Sequence, residues 1–282
     1  MNQNITIMNN ETEWNEFRDS YIKSALDKFH QNPLQYVNAL GEYLSIHKIK
    51  DVVLGVSGGV DSACVLAMLS HIKQNTIHDL EIHARCIMFN DAYPNFNTRH
   101  VYDLIDAYDD HIDWQFISAQ DECNELMHQM FHNTSSDRVA AQFSYALRYT
   151  MLFAVAQNYN GVTIGTTNKD EFEYSGWFGK NSDMVVDIQP IIRCNKRTVK
   201  MMATYLGVPS SIVDREPVGD LIDGSSDEEN FGCSYDDLTA FTALAKTDKP
   251  TQFLQERFAK LIALHKRNYH KYLGQGYNPV FL

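Results

Sequence analysis

The chain has 282 residues, 44% of them hydrophobic, which is enough to bury one large core. Its formal net charge of −12 argues against a nucleic-acid partner held by the phosphate backbone, because that needs a clustered basic surface. Cys64, Cys86, Cys123, Cys194 and Cys233 are odd in number, widely spaced and free of any C-x-x-C pair, so neither a disulfide framework nor a zinc site is expected. No secretory signal opens the sequence and no apolar run reaches the length of a membrane span, so a cytoplasmic protein without a membrane partner is expected.

Residues 1–12 are polar and Asn-rich and read as a loose end, and 13–282 read as one domain. From Trp14 to His47 the positions Phe17, Tyr21, Ala25, Phe29, Leu34, Val37, Leu40 and Leu44 recur at helical spacing, with a break at Pro33 that predicts two helices. VVLGV (Val52–Val56) predicts a buried parallel strand, Ala63–Lys73 a helix, and HARCIMF (His83–Phe89) a second strand, together a right-handed βαβ unit. Asn90–Asn97, with Tyr93, Pro94 and Phe96, reads equally as a pocket for an adenine ring or as an ordinary loop. Thr98–Asp109 predicts a helix, IDWQFIS (Ile112–Ser118) a third strand, and Asp121–Phe131 a helix capped by Ser118 or Asp121. Arg138–Asn158 predicts a helix whose apolar surface is too broad for one core-facing stripe, which implies burial on a second side such as a subunit interface. Gly161–Gly165 is a fourth strand, and Lys196–Leu206 a helix stopped by Gly207 and Pro209. By composition Arg215–Gly232, REPVGDLIDGSSDEENFG, is a flexible solvated loop; Ser234–Ala245 and Pro250–Tyr272 predict two closing helices.

The chemistry is concentrated where the first strand runs into SGGVDS, Ser57–Ser62. Gly58 and Gly59 let the backbone turn tightly and approach an anion, while the helix that follows adds its positive end. Asp61 puts a carboxylate beside that anion site, a repulsive arrangement unless a divalent cation lies between them, so the loop points to a nucleotide carried with Mg²⁺.

This loop lacks the Lys of the Walker pattern and resembles the pyrophosphate loop of the ATP pyrophosphatase superfamily. Read with GTTNKDE through WFGK to VVD (Gly165–Asp187), NKRTVKMMATYLGVP into REPVGDL and DEENFGCSYDDL (Asn195–Leu238), and HKR at His265, the chain resembles the ammonia-dependent NAD synthetases. The likeness spans Leu44 to Arg267, with about one extra residue near Tyr174–Gly176. It implies a three-layer, Rossmann-like α/β fold with a mainly parallel, five-stranded sheet and the ligand site at the strands' carboxyl edge. It also implies a homodimer.

By the same resemblance Gly55, Val56, Ser57, Gly58, Gly59, Val60, Asp61 and Ser62 form the ATP phosphate loop, with Thr166, Lys196 and Val218 as further ATP contacts. Asp61 and Glu171 hold Mg²⁺ on the pyrophosphate; Arg148, Lys180, Asp187, His265 and Lys266 touch deamido-NAD; and Asp61, Lys180 and Asp187 are the catalytic set, with Asp183 or Asp187 orienting or deprotonating ammonium. The implied reaction couples deamido-NAD, ATP and ammonia through an acyl adenylate, while the acidic Arg215–Gly232 stretch folds over as a lid. Two positions depart from the family pattern: Ala146 stands where the first Arg of an Arg-x-Arg pair is expected, and Val218 where a Thr or Ser follows Pro217. These departures leave two other readings, a superfamily ligase adenylating a different acid and a nucleotide-binding homologue without turnover.

Overall fold

The computed structural model describes residues 8–89, 94–108, 111–132, 136–215, 225–273 and 280–281. Val218, the rest of 216–224, and Asn90–Tyr93 lie outside the described residues, so the expected Val218 contact is not placed; Pro94–Asn97, the remainder of the stretch read as either an adenine pocket or a loop, instead opens the helix Pro94–Tyr108.

Two helices open the chain, α1 (Glu11–Gln31) and α2 (Gln35–Ile46), parted near Pro33 as the spacing predicts. Asn10 caps α1 by accepting from the Glu13 amide, and Met8 is buried, so order begins ahead of Trp14. Then come β1 (Asp51–Gly55), α3 (Val60–Asn75), β2 (Glu81–Met88), α4 (Pro94–Tyr108), β3 (Ile112–Ser118), α5 (Gln120–Phe131), α6 (Asp137–Tyr159) and β4 (Val162–Ile164). A π-helical turn at Glu171–Ser175 leads to β5 (Ile188–Gln189), α7 (Lys196–Tyr205), α8 (Ser210–Val213), α9 (Asp227–Phe231) and α10 (Tyr235–Thr247). Helices α11 (Gln252–Arg257) and α12 (Ala259–Asn268) precede the short edge strand β6 (Val280–Phe281).

The strands lie parallel in the order β3-β2-β1-β4-β5, the expected five, and the two-residue β6 extends that edge. From β1 the chain winds outward through β2 and β3 on one side, and through β4 and β5 on the other. The carboxyl ends of β1 and β4 therefore flank the point where strand order reverses, the crevice in which open α/β sheets bind ligands.

Alternation along β1 decides the layers. Val52 and Leu54 face a core with α2, α3 and α7, whereas Val53 faces Leu152 and Ala156 of α6 on the other side. Helix α3 is buried from Val60 to Leu69 almost without interruption, as a helix enclosed between sheet and other helices must be. A second cluster joins Trp14 of α1 to Phe231, Phe241, Phe258 and Leu261, and the Trp14 indole N–H donates to Asp237 at 2.8 Å.

Three expectations need correction. Helix α5 starts after Ala119 with no side-chain cap, so neither Ser118 nor Asp121 plays that part. The closing helix predicted over Pro250–Tyr272 is broken at Phe258, whose buried ring packs edge-on to Trp14, 4.9 Å between centroids; tertiary packing overrides the helical period there. Ser226–Gly232 of the acidic stretch is ordered. Ser226 and Glu229 form a reciprocal capping box, and Phe231 is fully buried, so residues that read as solvated by composition are used as local acceptors and an anchor.

Candidate active site

The turn from β1 into α3 is held by its own hydroxyls. Ser62 Oγ donates to the Gly59 carbonyl at 3.0 Å and lies 3.2 Å from Ser57 Oγ, which accepts from the Gly59 amide at 3.3 Å. Gly58 has φ 78°, a left-handed conformation that glycine adopts without steric cost. Val60, Asp61 and Ser62 are in the first turn of α3, where amides have no partner within the helix and the dipole is positive. This is an anion cradle made of backbone.

Against it the fold sets a charged cluster drawn from three segments. Lys196, at the start of α7, places Nζ 2.5 Å from Asp61 Oδ2 and 3.6 Å from Glu171 Oε1. The lysine side chain is 5% exposed, Asp61 18% and Glu171 16%, so the carboxylates keep an opening while the cation is enclosed. Burial pushes the Glu171 carboxyl well above the usual range, and the Asp61 charge adds to it. Burial also opposes charge on Lys196, but Asp61, Glu171 and Asp227 outweigh it and hold the ammonium above its ordinary value. Asn168 Nδ2 donates to Asp61 Oδ1 at 3.2 Å, completing the tie between the β1 and β4 exits.

Several residues around this cluster carried no assigned role in the sequence. Asp170 is buried and accepts from the Lys196 amide and from Thr239 Oγ1, each at 2.7 Å; burial raises its pKa to about 6. Asp227 accepts from Tyr235 Oη at 2.8 Å and from the Trp177 indole at 3.1 Å; burial lifts its pKa, while the Lys196 charge opposes the rise. The Tyr235 ring lies 5.0 Å from Lys196 Nζ. Lys200, one turn along α7, is held below its ordinary value by burial and by Lys196, and reaches the Arg215 carbonyl at 3.4 Å. The signal in the sequence is the pair of polar runs NKDE (Asn168–Glu171) and DEEN (Asp227–Asn230), of which the family resemblance gives a role only to Glu171.

Among the described residues no group of three or more His, Cys, Asp and Glu is arranged to hold a metal by itself. Two part-exposed carboxylates beside a phosphate cradle suit a hard cation that takes its remaining oxygens from the nucleotide and water, so this donor set fits Mg²⁺.

The profile of the NAD synthase family matches residues 34–273. An NH₃-dependent NAD⁺ synthetase of Mesoplasma florum is 30% identical over 244 residues, covering 83% of this chain and 94% of that protein. The chain belongs to the NAD synthase family. A second synthetase of the same description, from Syntrophomonas wolfei, is 31% identical over 229 residues, 75% of this chain and 85% of that one. Among solved structures, the NMN synthetase of Francisella tularensis superposes with a TM-score of 0.69 at 25% identity, over 92% of this chain and 95% of that one. The NH₃-dependent NAD synthetase of Campylobacter jejuni shares the fold, with a TM-score of 0.62 at 20% identity over 95% of this chain and 99% of that chain.

Of the residues expected from the NAD synthetase pattern, Gly55–Ser62, Asp61, Glu171 and Lys196 come together. Thr166 lies half-buried just beyond β4 at the same edge. The neighbouring Gly165 admits no side chain, because a Cβ there would collide with the Gln189 amide that accepts from the Thr167 N–H. Arg148 of α6 stands over Phe89, 5.4 Å from its centroid, just past the carboxyl end of β2. Ala146, two positions before Arg148 in that helix, is half-buried, and its methyl brings no polar group toward the site.

Lys180 is exposed on the loop beyond Gly179, and Lys266 is exposed on α12. His265 is stacked on Tyr174, 4.2 Å between centroids, with Nδ1 2.8 Å from the Tyr174 carbonyl, so it clamps the π-turn that carries Glu171. Asp187 is tied to Thr163, accepting from its N–H and its hydroxyl at 2.8 Å each, just before the amino end of β5. Asp183 accepts from Tyr149 Oη at 3.1 Å and from the Gly179 N–H at 2.7 Å, which closes the loop between Gly179 and Asp183. The segment Glu171–Ser175, which overlaps the place where the resemblance implied about one extra residue, is a π-helical turn closed by Gly176 at φ 59°.

Proposed function

We propose that the chain converts deamido-NAD, ATP and ammonia to NAD, AMP and pyrophosphate. The observation that carries this reading is the meeting of Asp61, Glu171 and Lys196 beside the phosphate loop. The nicotinate carboxylate attacks the α-phosphorus of ATP, pyrophosphate leaves, and ammonia then displaces AMP from the acyl adenylate. The protein supplies no covalent nucleophile; it aligns two anionic substrates and stabilises the charge that grows on pyrophosphate.

First-turn amides of α3 and the glycine turn receive the phosphates, and Lys196 offers the enclosed positive charge next to them. Asp61 and Glu171 would hold Mg²⁺, which when bound neutralises pyrophosphate oxygens as a Lewis acid. Thr166 and Lys196 contact ATP. Lys180, Lys266 and Arg148 provide positive charge for deamido-NAD, and Asp183 or Asp187 orients the incoming ammonium. His265 acts in this reading by fixing the π-turn. A homodimer, carried by the resemblance and by the broad apolar surface of Arg138–Asn158, would be revealed by sedimentation at micromolar concentration. No described helix is long and apolar enough to cross a membrane.

The test is formation of NAD and AMP from ATP, ammonia and deamido-NAD by the purified chain. Running the corresponding nicotinate mononucleotide in parallel addresses the likeness to an NMN synthetase: a higher kcat/KM for the mononucleotide would overturn deamido-NAD as the preferred acceptor, and failure with both would overturn the reaction class.

A further inference from the structure

The two carboxylates of the cluster lie 110 residues apart in sequence, on different loops, and one side chain ties them together. Asn168 is fully buried at the β4 exit. Its Oδ1 accepts from the amides of Asp170 at 3.0 Å and Glu171 at 3.1 Å, which caps the turn that begins the π-helical segment. Its main-chain N–H donates to Glu171 Oε2 at 3.2 Å. With two N–H donors pointing at Oδ1, the carboxamide has one orientation, and Nδ2 must face Asp61, where it donates to Oδ1 at 3.2 Å. The opposite oxygen, Asp61 Oδ2, is the one that faces Lys196.

We infer that Asn168 is a positioning residue for the divalent cation: it sets the orientation of Asp61 relative to Glu171, so that both carboxylates offer oxygens to one ion. The inference rests on the Mg²⁺–ATP reading of the cluster and deepens it. A single side-chain amide does two separable jobs here. Its oxygen shapes the loop, and its nitrogen orients a carboxylate from the other side of the site. A carboxylate held by a neutral donor keeps its charge for the cation while losing rotational freedom, and a small misplacement of a ligand is felt strongly because Mg²⁺ demands near-octahedral geometry.

The two jobs can be separated by substitution. Asn168→Ala removes both and would confuse loop collapse with lost positioning. Asn168→Ser keeps a short acceptor able to cap the turn but cannot reach Asp61. Binding of Mg²⁺ in the presence of α,β-methylene-ATP, which cannot be cleaved between the α and β phosphates, is measured by calorimetry for the wild type, Asn168→Ser, Asp61→Asn and the double variant. The melting temperature and the acceptor KM are followed alongside. The expected result is Mg²⁺ affinity about tenfold weaker or more in Asn168→Ser, the size of one lost hydrogen bond to a charged group, with melting temperature and acceptor KM little changed. In the Asp61→Asn background the same substitution should add almost nothing, because Asn168 acts through Asp61. Unchanged Mg²⁺ affinity in Asn168→Ser, or an equal loss in both backgrounds, would overturn the positioning role alone. Absence of any Mg²⁺ dependence in the wild type would overturn the metal reading as well.

Discussion

Replacing Lys196 by Met removes one charge and little volume, and the structure sets the size of the consequence. At 2.5 Å and an effective dielectric constant near 20, the gross attraction between the lysine and Asp61 is about 6–7 kcal/mol, part of which desolvation cancels. Removing one partner of a buried pair costs about 3–5 kcal/mol, since the carboxylates left behind are no longer compensated. Lys196→Met should therefore lower unfolding free energy by about 3–5 kcal/mol at pH 7.5 and slow adenylation by about 10²–10³-fold. The lysine's own titration does not complicate the reading: its folded pKa is raised, so its contribution is complete at neutral pH and is lost only above the ordinary lysine value. The penalty should shrink as pH falls, because burial holds the Glu171 carboxyl well above its usual range and its protonation relieves the orphaned pair. Urea unfolding of both proteins at pH 7.5 and pH 5 measures this. A loss below about 1 kcal/mol at pH 7.5, or a loss independent of pH, would refute the reasoning.

Asp61→Ala and Glu171→Ala should each abolish Mg²⁺-dependent adenylation. Asp61 is mostly buried and lies 2.5 Å from Lys196, so its removal should also cost about 1–3 kcal/mol in chemical denaturation. Asp170 is buried with its pKa raised to about 6 from 3.8, so the folded state holds its proton more tightly than the unfolded chain and stability from this group falls as pH rises from about 4 to above 6. That shift is worth roughly 3 kcal/mol, and the stability of Asp170→Asn relative to wild type should rise across the same window; a flat or falling difference would remove the assignment. Ala146→Arg should lower the KM for deamido-NAD by about one to two decades at similar kcat if the lost guanidinium is simply a missing contact, whereas an unchanged or higher KM would point to a remodelled acceptor pocket.

The fold was legible wherever burial is continuous or strictly periodic. IDWQFIS forms β3 at the expected residues, and both N-terminal helices divide at Pro33. The phosphate loop was legible because its residue types have a chemical reason, whereas Glu171 and Lys196 were named only by resemblance to the family, and the structure brings both beside Asp61. What escaped depends on partners distant in sequence. Asn168 gains its meaning only when Asp61 arrives from another loop, and Asp227 only when Trp177 and Tyr235 close around it. β5 is two residues long and carries no period of its own. Composition misjudged Ser226–Gly232, since acidic residues that usually mean solvation cap a helix there. His265 and Asp187 were singled out by pattern, but the structure gives each a neighbour, Tyr174 and Thr163, that only coordinates can name.

The central claim is that the acceptor's carboxylate is activated as an acyl adenylate, and the fate of its oxygen tests that most directly. Deamido-NAD labelled with ¹⁸O in the nicotinate carboxylate is incubated with the chain, Mg²⁺–ATP and ammonia, and the AMP is analysed by mass spectrometry. The account predicts one ¹⁸O in each AMP released together with NAD, since the oxygen that attacks the α-phosphorus leaves with it. AMP without label, or ADP in its place, would contradict it.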